Sequence, residues 1–103
     1  MKGKKIKIVL DDTGYGFKLT DQEKMLLIKA DPKLSNDYIE ENIDTKKFRT
    51  NHALVKLVEA GLITYGGGKV HEICIPYGYS IDDIKIEEWE PGGFIERAIL
   101  VLS

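Results

Sequence analysis

The stretch that most constrains the fold is Lys5–Ala30, which combines an apolar alternating segment, a glycine loop and a helix start. The segment Lys5–Leu10 alternates at its beginning, is rich in β-branched residues and ends at two acids, which predicts a β-strand. Thr20 followed by Glu23 forms a capping-box pattern, in which each side chain accepts a hydrogen bond from a backbone N–H that the helix leaves unpaired. The sequence therefore predicts a strand, a loop over residues 11–19 and a helix over residues 21–29.

The next part of the chain carries further helix and turn signals. Met25, Leu26 and Ile28 make the second half of the first helix apolar, so we expect neighbouring elements to cover it on more than one side. Asp31-Pro32 ends this helix, because proline disfavours the helical conformation of the residue before it. After Ser35 the pattern fits either a short capped helix or an ordered loop up to residue 47, and the sequence leaves both open.

A second main helix and a change of period follow. Asn51–Ala60 carries an apolar stripe at helical spacing, with Thr50 as the predicted N-cap and Gly61 as a left-handed C-terminal cap. The apolar period then changes from helical to alternating, which predicts a short strand at Leu62–Tyr65, a flexible glycine turn and a strand at Lys69–Ile75. The second half of the chain is therefore predicted to be mainly strand.

Two further segments complete the predicted sheet. Asp83–Glu90 alternates with polar residues on both faces, as an edge strand does. Pro91-Gly92-Gly93 predicts a tight turn, after which Phe94–Leu102 is a strand or a helix, and the turn favours the strand of an antiparallel hairpin. Together these patterns predict one α+β domain over residues 1–103. It has a mostly antiparallel sheet with the first strand in its interior, and two main helices pack on one face of the sheet.

The charge balance narrows the classes of partner. The net charge is −2, so the chain has no overall attraction to nucleic acid or to a membrane surface, and the basic run Lys2–Lys7 is interpreted as a solvated strand start. The single Cys74 cannot form an internal disulfide, and the sequence has neither a signal-peptide pattern nor an apolar run of about 20 residues. We therefore expect a cytoplasmic protein that binds neither nucleic acid nor membrane.

The loop after the first strand is the first candidate binding site. Gly14 and Gly16 lie between a strand and a helix, as in phosphate-binding loops, but the third glycine of the dinucleotide fingerprint and a Gly-Lys-Ser/Thr ending are missing. One interpretation is a loop whose glycines adopt positive φ angles. The alternative is a binding loop, in which Tyr15 and Phe17 sandwich a base and Lys18 touches a phosphate.

Residues with catalytic or metal-binding chemistry are scattered along the chain. Asp11 and Asp12 end the first strand, and His71 and Cys74 lie three residues apart on a later one. An enzyme would need these four side chains to converge on one cleft, and a His-x-x-Cys pair supplies only two of the four ligands of a zinc site. We interpret the acids as solvated and Cys74 as a small buried residue, and we predict no catalysis, no metal and no cofactor.

Aromatic residues outside the helical stripes indicate a binding face. Tyr77 and Tyr79 fall in a loop, and Trp89 falls on the predicted edge strand. Exposed Tyr and Trp residues are typical anchors of interfaces. The predicted ligand-binding residues are therefore Gly14, Tyr15, Gly16, Phe17, Lys18, Tyr77, Tyr79 and Trp89.

Four segments in this order resemble a known family: Gly16–Thr20, Arg49–Glu59, Val70–Pro76 and Ile86–Glu90. They are similar to the Gly-Gly-Phe-Gly-Leu-Ser, Val-Val-Glu-Glu-Leu-Gly, Val-Glu-Ile-Pro and Ile-Glu-Glu-Tyr-Asp-Gly elements of short uncharacterised proteins carried by tailed bacteriophages and some large DNA viruses. In this chain Lys18 stands at a glycine of the first element. The resemblance implies a viral accessory protein made inside a bacterial cell.

These observations lead to one functional hypothesis and two alternatives. We expect a non-catalytic phage-type accessory protein of the anti-defence type, which binds a host protein or sequesters a signalling nucleotide. We expect it to be a homo-oligomer that pairs through an edge such as Asp83–Glu90. The alternatives are a small enzyme that uses Asp11, Asp12, His71 or Cys74, and a structural subunit of the virion or a replication accessory protein.

Overall fold

Four strands and four helices form the fold in a computed structural model, which describes residues 3–13, 16–89 and 95–101. A 3-10 turn, Ile81–Asp83, precedes the third strand. The elements in chain order are β1 (Lys4–Asp11), α1 (Asp21–Ala30), α2 (Asn36–Asn42), α3 (Lys46–Arg49), α4 (His52–Glu59), β2 (Gly68–Ile75), β3 (Ile84–Trp89) and β4 (Ile95–Leu100). The predicted α+β class is confirmed, and Ile95–Leu100, which the sequence left open as strand or helix, is a strand.

The four antiparallel strands are divided between two sheets. β1 pairs with β2, from Lys4 opposite Ile75 to Asp11 opposite Gly68. β3 pairs with β4 in a second sheet. The prediction that the first strand lies inside a sheet is wrong for the described residues, because β1 has a ladder with β2 alone. A side chain joins the two sheets instead, since the N–H of Asp11 donates to the carboxylate of Glu96 on β4 at 2.8 Å.

The core lies between the four helices, the β1–β2 sheet and the loop that follows β1. Each of its larger side chains stabilises the fold by about 1.5–3 kcal/mol when it leaves water. The buried members are Val9, Phe17, Leu19, Leu27, Leu34, Ile39, Phe48, Leu54, Val55 and Ile63. They come from most elements of the first two thirds of the chain, so the helices and the first sheet share one core.

The predicted capping box at the start of α1 is confirmed. The N–H of Glu23 donates to Thr20 Oγ1 at 3.1 Å, and the N–H of Thr20 donates to Glu23 Oε1 at 2.9 Å. The second carboxylate oxygen of Glu23 accepts hydrogen bonds from the N–H groups of Thr64 and Tyr65. Leu62–Tyr65 is therefore not the predicted strand, because two of its N–H groups bind this buried carboxylate in place of a ladder.

The surface of α1 differs from the prediction. Met25 is 68% exposed and Leu26 is 39% exposed, whereas Leu27 is fully buried. In the described structure α1 contacts α2 and α4 on one side only, so the expectation of cover on more than one side is wrong. An apolar surface on α1 is left in contact with water.

The helix boundaries in the middle of the chain depend on neighbouring caps. Ser35 caps α2, so this segment is a short helix and not a loop. Thr50, the predicted N-cap of α4, is the C-terminal cap of α3, and Asn51 caps α4 by accepting from the N–H of Leu54 at 3.1 Å. The predicted left-handed cap is confirmed at Gly61, which has a φ of 76°.

Gly66 and Gly67 precede β2 and Gly68 begins it, and these three glycines form a packing surface. A Cβ atom on Gly66 would lie 2.2 Å from the carbonyl oxygen of Lys18, and one on Gly68 would lie 2.4 Å from the ring of Phe17. A Cβ on Gly67 would meet the side chain of Thr13 at 2.2 Å. Because these glycines have no side chains, the loop after β1 packs directly on them. The sequence predicts this segment as a flexible turn and does not indicate its packing role.

Arg49 is the main polar connection between the two sheets. Its side chain is fully buried and donates to the carbonyl oxygens of Ile43 and Val9. It also donates to the carboxylates of Glu96 and Asp44. The guanidinium lies over the ring of Phe17, 4.4 Å from its centroid, in a cation–π contact. One side chain at the end of α3 thus holds β1, β4 and the loop together.

Candidate functional site

The predicted binding loop is built around the carboxylate of Asp11. Its Oδ1 accepts from the N–H of Thr13 at 2.8 Å and from the hydroxyl of Thr13 at 2.6 Å, and its Oδ2 accepts from the N–H of Gly16 at 2.7 Å. Burial, the largest influence, raises the pKa of Asp11, but the hydrogen bonds from Thr13 and Gly16 and the charge of Arg49 outweigh it and lower the pKa overall. Asp11 is therefore a buried carboxylate that shapes the loop and not the solvated acid of the sequence prediction.

Phe17 has a different place from the one predicted. Its ring is 4% exposed and belongs to the core, with one face against Arg49. Phe17 is therefore not placed to sandwich a base with Tyr15 as predicted, because the Phe17 ring is already enclosed by protein. Gly14 and Tyr15 lie outside the described residues, Gly16 has a positive φ of 88° and Lys18 is exposed.

The cleft beside this loop is acidic. It has a volume of about 410 Å³ and is lined by Gly16, Phe17 and Lys18 on one side. The other side carries the carboxylates of Asp44, Glu87, Glu88 and Glu96. Arg49 binds Asp44 and Glu96, and Arg97 binds Glu87, so with Lys18 three cations stand against these four carboxylates. The remaining negative charge disfavours a phosphate group. The sequence interpretation of this loop as a place for a phosphate has no electrostatic support.

Tyr77 and Tyr79 lie on a tight turn after β2. The N–H of Tyr79 donates to the carbonyl oxygen of Pro76 at 3.0 Å, and Gly78 has a φ of 91°. A hydrogen-bonded turn with positive φ at its third residue is a type II turn, which glycine adopts at low cost. Tyr77 is 73% exposed and Tyr79 is 44% exposed, so the turn presents both rings to solvent.

The predicted binding residues do not form one face. The loop follows Asp11, which pairs with Gly68, whereas the tyrosine turn follows Ile75, which pairs with Lys4 at the other end of the ladder. Seven residue steps along a strand separate these ends by roughly 23 Å. Trp89 ends β3 next to Glu88 and so lies at the loop end of the molecule. Its role in binding stays a prediction.

The residues proposed for catalysis are partly brought together. Asp12 Oδ1 lies 3.1 Å from His71 Nε2, and both side chains are partly exposed. Cys74 is three residues beyond His71 on β2, so the two lie on opposite faces of the strand. Cys74 is exposed, and the prediction of a buried thiol is wrong. Within residues 3–13, 16–89 and 95–101 no group of three or more His, Cys, Asp and Glu side chains is arranged to hold a metal ion.

A cleft that the sequence interpretation missed lies between the first half of β1 and α4. Its volume is about 550 Å³, and Ile6, Val55 and Ile81 provide apolar lining. The charged and titratable lining comprises Lys4, Lys5, Lys7, His52, Lys56, Glu59 and Glu72. The basic run at the start of the chain was the available signal. We name this feature the lysine cleft.

Comparison with protein-family models, curated proteins and solved structures finds no match to this chain. The resemblance to phage and large-virus proteins therefore stays a prediction from the four segments that carry it. No helix in the described part of the chain has both the length and the apolar character that a bilayer crossing requires.

Proposed function

We propose that this protein is a non-catalytic phage-type accessory protein, which acts in the cytoplasm of a bacterial host by binding a host protein or a signalling nucleotide. The observation that carries the proposal is the pair of exposed tyrosines on the turn after β2. Tyr77 and Tyr79 are large aromatic residues held outward by a hydrogen bond and a left-handed Gly78. A preformed turn loses little conformational freedom when it binds, so its rings are suited to anchoring a partner.

Three carboxylates with little exposure favour a binding function over a catalytic one, because each already has hydrogen-bond partners within the protein. Asp11 accepts from N–H groups of the loop that it shapes, and Glu23 accepts from the N–H groups of Thr20, Thr64 and Tyr65. Glu96 binds Arg49 and the N–H of Asp11. A general base needs a carboxylate that can exchange protons with a substrate, and these three are occupied by protein donors.

A thermal-shift measurement tests the proposal. The full chain is heated with ATP, ADP-ribose and cyclic di-AMP, and the Tyr77→Ala/Tyr79→Ala variant is measured beside it. A ligand at 100-fold excess over its Kd adds about 2.7 kcal/mol, which raises the Tm by roughly 10 °C or more for a domain of this size. We expect this increase for the wild-type chain and its loss in the double variant.

Tyr65→Ala is the matched control, because Tyr65 is 70% exposed but lies near the opposite end of the β1–β2 ladder. It should keep the ligand-induced shift. A pull-down from host lysate with the same three proteins covers a protein target. If no nucleotide shifts the Tm and no lysate protein distinguishes the wild type from the double variant, the proposal is refuted.

A second candidate function follows from the contact between Asp12 and His71. An imidazole whose nitrogen lies 3.1 Å from a carboxylate can act as a general base. Hydrolysis of the same nucleotides is measured with the wild type, with His71→Asn and with His52→Asn as the control. Turnover that depends on His71 alone would favour an enzyme and would contradict the non-catalytic proposal.

We also propose that the chain is a homo-oligomer in which α1 meets α1 of a second copy. Met25 and Leu26 lie in the middle of its exposed surface, with Gln22 and Lys29 at the two ends. An antiparallel two-fold pairing would set each Met25 against Leu26 of the partner subunit and bring Lys29 towards Asp21 of the partner subunit, so that apolar side chains meet and opposite charges lie close together. Light scattering should give a dimer for the wild type and a monomer for Met25→Glu; a wild-type monomer would contradict the pairing.

A further inference from the structure

We propose that the lysine cleft binds the phosphate groups of a small nucleotide whose base stacks on the tyrosine turn. The inference rests on the proposed binding function and adds the chemical class and position of the ligand. It places the phosphate at the end of the molecule opposite the glycine loop. The lysine cleft is a concave site at β1 and α4 with more cations than carboxylates, whereas carboxylates outnumber cations in the cleft beside the glycine loop.

The charge of the lysine cleft favours an anion. Its two carboxylates are already paired, since Lys7 Nζ lies 2.8 Å from Glu59 and Lys5 Nζ lies 3.6 Å from Glu72. The hydrogen bond to Glu59 raises the pKa of Lys7, so that ammonium stays charged. Lys4 and Lys56 also line the cleft, and no carboxylate of the described residues forms an ion pair with either. The lining thus has two lysines in excess over its acids.

The dimensions of the cleft suit a small molecule. Ligand sites generally have volumes of about 300–1,000 Å³, and this one has about 550 Å³. Ile6, Val55 and Ile81 supply apolar contacts between the charged groups. Several cations around an apolar floor can hold two or more phosphate groups while the sugar rests on the aliphatic side chains.

Lys4 connects the lysine cleft to the tyrosine turn. It lines the cleft of β1 and α4, and it also lines a smaller depression together with Tyr77 and Tyr79. A ligand whose phosphates contact Lys4 therefore has an exposed aromatic ring within reach. Stacking of a base on such a ring contributes about 1–3 kcal/mol and tolerates different bases.

A nucleotide fits this surface better than a nucleic acid. The chain has a net charge of −2, and Glu59 and Glu72 lie in the cleft itself. A polynucleotide would need cations along an extended path, whereas the four lysines of this cleft surround one concavity.

Isothermal titration of the full chain tests the inference. The probes are ATP, ADP-ribose and cyclic di-AMP, with tripolyphosphate and adenosine as fragments and a single-stranded oligonucleotide as the competing class. Lys4→Glu and Lys56→Glu reverse charges at exposed positions, and Lys33→Glu makes the same change on the turn after α1. We expect each cleft variant to weaken nucleotide binding about tenfold or more, and Lys33→Glu to leave it unchanged.

The outcomes separate the inference from the proposed function. Nucleotide binding that is lost in the tyrosine variant but unaffected by Lys4→Glu and Lys56→Glu would refute the lysine cleft and leave the proposed function standing. Tighter binding of the oligonucleotide than of any mononucleotide would also overturn the inference. Absence of every ligand together with a negative pull-down would refute both. Loss of nucleotide binding in both cleft variants, at an unchanged Tm of the free protein, supports it.

Discussion

Replacement of Arg49 by alanine should be among the most destabilising single changes in this chain. Arg49 is fully buried and makes five hydrogen bonds, which reach two backbone carbonyl oxygens and two carboxylates. The bond to Asp44 contributes little, because the side chain of Asp44 is 80% exposed and water can replace the guanidinium. The two bonds to Glu96 contribute most, because its side chain is only 10% exposed.

The size of the effect follows from what Arg49→Ala leaves behind. The Glu96 carboxylate keeps the N–H of Asp11 but loses its cation, and removal of one partner of a buried ion pair costs about 3–5 kcal/mol. Small domains are stable by about 5–15 kcal/mol, and each kcal/mol moves the Tm of such a domain by about 4–8 °C. We therefore expect the Tm to fall by roughly 12–40 °C.

Urea unfolding followed by circular dichroism measures this difference. Arg97→Ala is the matched control, since Arg97 is exposed and pairs with Glu87 on the surface, which predicts a loss of about 1 kcal/mol or less. Arg49→Ala combined with Glu96→Gln should be less destabilised than the sum of the two single changes, because the glutamine removes the unpaired charge. Equal stability of Arg49→Ala and Arg97→Ala would refute the reasoning.

Three further predictions concern pH, the glycine turn and the thiol. In the folded protein the pKa values of Asp11 and Glu23 are lowered, since hydrogen bonds to each carboxylate outweigh the opposing effect of burial. Each therefore contributes stability that is present above the ordinary carboxyl pKa near 4 and lost as the pH falls through the lowered value; the free energy of unfolding should decrease below about pH 4, and equal stability at pH 3 and pH 7 would contradict this. Gly66→Ala should destabilise the fold by about 2–3 kcal/mol, because the new Cβ would meet the backbone of Lys18. Gly61→Ala has open space around it and should cost only about 1 kcal/mol, because alanine is strained at a positive φ. Denaturant titrations that find Gly61→Ala the more destabilised variant would refute the packing argument. Cys74 should react with a thiol reagent in the native protein, and a reaction that requires denaturant would contradict its exposure.

Local patterns predicted the elements that local interactions determine. The capping box at Thr20 and the left-handed cap at Gly61 depend on residues within one helical turn, and both are confirmed. The N-cap of α4 could not be chosen from the sequence, because Thr50 and Asn51 are both good capping residues. The formation of α3 decides between them, since Thr50 ends that short helix.

Contacts between distant residues account for what the sequence did not predict. Arg49 and Glu96 are 47 residues apart, and their pairing joins two sheets that the alternation pattern merged into one. Phe17 lies in a glycine loop and is aromatic, which suggests a binding residue from the sequence alone. Its ring reaches the core because Gly68 has no side chain to block it. The lysine cleft likewise forms because α4 lies beside β1. The positions of Lys4 and Lys56 in the sequence do not indicate that the two residues come close together.

Nitrogen–proton correlation spectra of the full chain, recorded during titration with ATP, ADP-ribose and cyclic di-AMP, test the central claim most directly. The account predicts that one of them shifts the amide signals of the first half of β1, the start of α4 and the tyrosine turn, while those of residues 16–18 remain in place. Shifts that centre on residues 16–18, or spectra that no nucleotide changes, would contradict it.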